Sequence, residues 1–179
     1  MKNTIVSENN LGYSGVVDIK LVRGDKVIKH VTAKNAGRLP LFTFIAKCLA
    51  GNFSSGQYDA APKFLMIGFT NNPSSMSGAS AVSLTPIPYT EVSTTTSPSG
   101  QDDEYSVCTY KFVIPFSTVS SGEKINHLRL YNSNVGWDEL SGCCAWVTLF
   151  DESTGTIDNI EADGKSNIIL TWSLRVSNK

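Results

Sequence analysis

Few side chains in this sequence stand where chemistry would need them. The two histidines, His30 and His127, lie on separate stretches with no second ligand at metal-binding spacing. Both read as ordinary surface or edge histidines. Asp158, Glu161 and Asp163 precede Gly164 with the acidity of a calcium loop but not its ligand spacing, so a solvated acidic turn is the expectation. Asp102-Asp103-Glu104 and Asp151-Glu152 could in principle trade protons, yet adjacent acids at loop ends are usually solvated charges. No nucleophile elbow and no phosphate-binding glycine loop occurs. Cys48, Cys108, Cys143 and Cys144 form no CxxC pair and read as free thiols acting as small apolar residues. The expectation is therefore no catalytic residue, no metal and no cofactor.

The aromatic residues are more informative. Trp146 and Trp172 fall on apolar faces of strand-like stretches and are expected in the core. Trp137 lies in a loop between Gly136 and Asp138. An exposed loop tryptophan can stack on a sugar or anchor a partner, with nearby Tyr131 completing the platform; it can equally fold back onto the body of the protein. Arg23-Gly24-Asp25 spells an adhesion tripeptide, but between two alternating runs it is first of all a hairpin turn.

The elements that must position these residues are mostly strands. Residues 105–116, YSVCTYKFVIPF, place Cys108, Tyr110, Phe112, Ile114 and Phe116 on one side, and Val107, Thr109, Lys111 and Val113 on the other. This stretch is expected to be the central strand. Residues 167–177 repeat the pattern with Ile168, Leu170, Trp172, Leu174 and Val176 on one side. Residues 15–22 and 26–32 form a hairpin, with Val17, Ile19 and Leu21 sharing one face and Val27, Lys29 and Val31 another. Residues 63–70, KFLMIGFT, are apolar on both sides and predict a strand buried on both faces. Further strands are expected over 87–92, with Pro86 and Pro88 marking an edge, over 124–131 and over 143–150. One helix is expected over 39–50, from the spacing of Leu41, Phe42, Phe44, Ile45, Cys48 and Leu49, with Pro40 in its first turn and Gly51 as its stop. Polar tips are expected over 71–85 and 93–104. The fold class is thus mostly β: a two-layer antiparallel β-sandwich of about eight strands with one short helix. An irregular arm over 1–12 and a single domain over 13–179 complete the organisation.

Composition narrows the partners. Of 179 residues, charged ones make up only 17% and the net charge is -1. That balance argues against nucleic acid and against an anionic membrane as partners. No apolar run approaches transmembrane length, and the first ten residues lack the apolar core of a signal peptide. The expectation is a chain made in a cytoplasm.

The order of elements resembles a group of small tailed-phage virion proteins of the tail and baseplate region. The residues that carry the resemblance are Asn35-Ala36-Gly37 before the helix, Lys63-Phe64-Leu65-Met66-Ile67-Gly68, and Glu91 after a polar loop. The long strand over 105–116, Leu128-Arg129-Leu130-Tyr131, and the tryptophan-bearing stretches 146–150 and 168–172 follow in the same order. The chain departs from the pattern at Pro40, where the group's helix continues, and at His127 and Arg129, which replace an acidic-glycine pair.

The resemblance implies a structural subunit of a virion, in the tail, baseplate, neck, fibre attachment or capsid surface, rather than an enzyme. Its partners would be other virion proteins and further copies of itself. Met76, Val82 and Leu84, the spaced apolar residues of the first polar tip, are the expected interface. The alternative is a carbohydrate-binding β-sandwich using Trp137 and Tyr131, which would make a glycan the partner.

Overall fold

A computed structural model describes residues 11–34, 36–37, 61–72, 78–83, 85–97, 105–133, 137, 143–151 and 156–178. In chain order the strands are β1 (Leu11–Arg23), β2 (Lys26–Lys34), β3 (Ala36–Gly37), β4 (Phe64–Phe69), β5 (Ser80–Ala81), β6 (Ile87–Pro88), β7 (Glu91–Thr96) and β8 (Tyr105–Ile114). After a short 3-10 turn at Phe116–Thr118 come β9 (Lys124–Ile125), β10 (His127–Tyr131), β11 (Cys143–Thr148), β12 (Phe150–Asp151), β13 (Thr156–Ile157), β14 (Ile160–Glu161) and β15 (Asn167–Asn178). The expected helix over 39–50 lies outside the described residues.

Two antiparallel sheets pack face to face. The first has the order β2-β1-β15-β8-β7, the second β3-β11-β10-β4-β5 with β6 also paired to β4. Their facing sides make one core. Val17, Ile19 and Leu21 of β1, Tyr110, Phe112 and Ile114 of β8, and Leu170 and Trp172 of β15 meet Leu65 and Ile67 of β4, Leu128 and Leu130 of β10, and Val147 of β11. All are side chains that period-two patterning assigns to one face, so a mostly β sandwich follows directly from the alternation.

The centre of the first sheet is β15, flanked by β1 and β8. The stretch over 105–116 is therefore one strand off centre. It also ends sooner than expected: Pro115 breaks the ladder, and Phe116 enters the turn 51% exposed instead of joining the core. A bulge corrects a second expectation. Between Leu21 and Val22 the β1–β2 register shifts, pairing Leu21 with Lys29 and Val22 with Val27, so Ile28 is the extra residue. Val27 is turned out of the face that Val31 occupies and stands 49% exposed.

The stretch over 87–92 is not one strand. Ile87–Pro88 pairs with β4 in the second sheet, and Glu91–Thr96 pairs with β8 in the first. The chain changes sheets at residues 89–90, where Tyr89 N–H donates to Lys63 O (3.2 Å) and Thr90 N–H to Lys111 O (2.7 Å). The second polar tip accordingly starts later than its composition suggests, because Ser93 to Thr96 continue β7. Threonine is polar but β-branched, and on an edge strand the second property decides. The stretch over 124–131 also divides. Asn126, wholly buried, breaks it and cross-links its surroundings: its side chain accepts from Thr70 N–H (2.8 Å) and donates to Thr70 O (2.9 Å) and Asn159 Oδ1 (2.9 Å).

Candidate functional site

The second sheet is buried on both faces, as the two-sided apolarity of β4 requires. Along β10, Leu128 and Leu130 face the sandwich core, so period two turns His127, Arg129 and Tyr131 to the far side. These three are 0%, 2% and 0% exposed. A second, smaller cluster forms there from Met66, Tyr131, Trp137 and Cys143, with Phe64, Ala79, Ala81 and Trp146 packed against it.

Trp137 closes this cluster. Its indole N–H donates to Ala79 O (3.0 Å), while its carbonyl accepts from Arg129 Nη1 (2.7 Å) and from the Tyr131 hydroxyl (3.2 Å). The Arg129 guanidinium lies 3.9 Å from the centre of the indole ring, a cation–π arrangement. Gly68 of β4 makes room: a Cβ there would overlap the far edge of the same indole. The glycine is required for close approach, and its backbone sits in ordinary extended space.

His127 is held between two tryptophans, stacked on Trp146 with ring centres 5.5 Å apart and edge-on to Trp137 at 5.8 Å. Arg129 Nε donates to His127 Nε2 (3.2 Å), and an arginine can only donate, so Nε2 carries the lone pair. The proton is then on Nδ1, which donates to Thr148 Oγ1 (3.0 Å). Burial, reinforced by the Arg129 charge, pulls the imidazole down to about 4, so it is neutral at ordinary pH. Both ring nitrogens are committed to fixed partners. The arrangement clamps a loop onto a sheet and leaves His127 no nitrogen free to take a proton from a substrate.

These placements revise several sequence expectations. Trp137 is 5% exposed and Tyr131 is fully buried, so neither offers an open ring face for a sugar; one face of the indole is already taken by Arg129. Trp146 is only partly buried and sits on the far side of β11, outside the sandwich core, whereas Trp172 is fully buried within it. Val82 packs against the chain's own core, with its N–H donating to Ile67 O (3.0 Å). Met76 and Leu84 lie outside the described residues. His127 is the centre of a buried network and no surface histidine. His30 is exposed and paired with Asp18.

The acidic residues before Gly164 have separate structural roles. Asp158 pairs with Lys29 Nζ (2.5 Å). Asp163 accepts from Ser166 Oγ (2.7 Å), Lys165 N–H (2.8 Å), Ser166 N–H (2.7 Å) and Arg23, which together hold its carboxyl well below the usual carboxylate range. Arg23 of the RGD turn is thereby committed to the acidic loop. Among the described residues no group of three or more His, Cys, Asp or Glu side chains gathers as metal ligands. Cys143 and Cys144 are buried thiols outside any disulfide and turned to opposite faces, and burial pushes the Cys144 thiol up to about 12, which keeps it unreactive.

Among the described residues the first sheet leaves an open edge at β7. All six residues of β7 are exposed, and no strand among the described residues pairs with its outer side. Ser97 N–H donates inward to Tyr105 O (2.9 Å), so in an antiparallel ladder Thr96, Thr94 and Val92 direct their N–H and C=O groups outward. The only charge on the strand is Glu91, which Lys111 Nζ holds at 3.3 Å. Val92 and Tyr89 add apolar surface at 46% and 37% exposure, and Tyr89 leans on Tyr110 with ring centres 5.9 Å apart. The sequence marks an edge strand over 87–92 but misses its continuation through Ser93 to Thr96, whose Ser/Thr composition reads as loop. The signal that could have found it is the run of three β-branched threonines after Val92.

No family model, no curated protein and no solved structure matches this chain.

Proposed function

We propose that the chain is a structural subunit of a tailed-phage virion, of the tail, baseplate, neck or fibre-attachment region, and that it works through its interfaces. The resemblance in element order supplies the class of particle. The observation that carries an assembly role is the bare edge of β7. Natural sheets guard their edges with lysine, proline, bulges or very short strands. Among the described residues the other edges of the two main sheets are guarded in one of these ways: β2 carries Lys26, Lys29 and Lys34 and a bulge at Ile28, while β3 and β5 are two residues long. β7 has six residues, none of them lysine or proline, and no register shift. A bare, regular edge adds a strand from a partner through main-chain hydrogen bonds.

Mass spectrometry of purified particles is the direct test, with the chain expected at a fixed copy number relative to other virion proteins. Supplied in trans to particles lacking the chain, a Thr94→Pro variant should fold but fail to be incorporated, because proline removes one of the three outward N–H groups and adds a ring in the pairing plane. Incorporation of this variant at wild-type level would overturn the assembly role of the edge.

A further inference from the structure

We propose that the strand added to β7 is β7 of a second copy, paired antiparallel about a two-fold axis through Thr94, so that two five-stranded sheets become one continuous sheet. This rests on the assembly role proposed above and names its partner.

The edge is complementary to itself. Val92, Thr94 and Thr96 are the residues whose main-chain groups point outward, and they are symmetric about Thr94. Placing the axis there pairs Thr94 with its own copy and Val92 with Thr96 of the other chain, in both directions. All three outward residues of each copy are then used, giving about six main-chain hydrogen bonds. A shift of the axis by one residue in either direction leaves at least one outward residue of each copy without an opposing partner within the strand.

Charge also permits the pairing. Glu91 is the only ionised side chain of β7, and this register sets it opposite Ser97 of the other copy, at the two ends of the ladder, where each is already matched by its own Lys111. Like charges never meet. The residues that do meet are valine and threonine, which suit cross-strand contact. The axis stands perpendicular to the sheet and keeps the same face up in both copies. Val92, Thr94 and Thr96 of both chains therefore line one side of the new seam, beside the exposed ring of Tyr89.

The test uses the full chain and two charge variants. Wild-type protein should sediment at twice the chain mass at micromolar concentration. Thr94→Lys and Thr94→Glu each place like charges opposite one another on the axis, and each alone should sediment as a monomer with an unchanged circular dichroism spectrum. An equimolar mixture of the two should recover the dimer, because lysine then faces glutamate; this rescue requires position 94 of one copy to face position 94 of another. A wild-type dimer that neither substitution dissociates would overturn the proposal. So would a wild-type chain that remains monomeric. If, in that second case, Thr94→Pro still blocked incorporation into particles, the edge would be an assembly site for a different protein, and only the second-copy partner would fall.

Discussion

The two sheets of this molecule treat polarity in opposite ways. In the second sheet the outer face carries a histidine, an arginine and a tyrosine, yet all three are shut away, and His127 and Arg129 form hydrogen bonds with each other. In the first sheet the outer face bears Thr109, Lys111, Thr171 and Ser173 half-buried, and its edge leaves Val92 and Tyr89 exposed. Residue type alone does not separate the two cases. What separates them is whether the surrounding chain supplies partners: Trp137 closes over the second sheet where Gly68 leaves it room, whereas no described strand pairs with the outer side of β7. The second sheet is thus closed on its outer face by the chain itself, and the first leaves β7 without a described strand on its outer side.

Substitutions can sharpen that contrast. The largest losses should come from the two buried tryptophans. Trp172→Ala opens the shared core and Trp137→Ala removes the closure of the second sheet; each should cost about 3–5 kcal/mol in denaturant unfolding, the usual range for a buried aromatic. For Trp137 the value matters doubly. A cost below about 1 kcal/mol would mean that its burial contributes little and that the loop opens readily.

A pH titration comes next. The folded state holds His127 at about 4, below its ordinary value of 6.5. The unfolded chain therefore takes up the proton first. Its stabilising contribution is complete above about pH 6.5 and should decline by roughly 3 kcal/mol as pH falls towards 4. A His127→Gln variant should show no such slope in that window. The slope belongs to this group and not to Asp163, whose depressed carboxyl acts only below the ordinary carboxylate range.

Gly68→Ala should cost about 1–3 kcal/mol, the range for forcing a methyl into a packed site, because it collides with the Trp137 ring and with the Ser80 carbonyl oxygen. A smaller loss from Gly68→Ala in a Trp137→Phe background than in the wild type would tie part of it to the ring contact. At the other extreme, Thr109→Ala and Ser173→Ala, which break a 3.2 Å hydroxyl pair on the half-buried outer face of the first sheet, should each change stability by less than about 0.5 kcal/mol. A large loss at either would show that this face is covered in solution.

The sandwich itself is legible in the sequence because alternation is a local signal. Val17, Ile19 and Leu21, Tyr110, Phe112 and Ile114, and Ile168 to Leu174 at every second position all fall where period two puts them. The two-sided burial of β4 was legible for the same reason. The buried cluster was not. Nothing near His127 in the sequence announces that Trp146 stacks on it, that Trp137 and Gly68 meet over it, or that Arg129 has a carbonyl to hold. Those contacts depend on strand order and on Trp137 coming to lie against β10. The open edge was hidden differently. The crossing from one sheet to the other at residues 89–90 divides a stretch that looks continuous, and the threonines after it look like loop by polarity although their branching suits a strand. The bulges at Ile28 and Cys144, which redirect Val27 and put Cys144 on the core face together with Ala145, leave no mark in the pattern either.

Amide hydrogen exchange at β7, measured in the dilute free chain and in purified particles, tests the assembly role most directly. Val92, Thr94 and Thr96 should exchange fast in the free chain, since their N–H groups face solvent, and become strongly protected in the particle. Glu91, Ser93 and Thr95, already bonded to β8, should change far less. Equal, fast exchange of Val92, Thr94 and Thr96 in both states would contradict it.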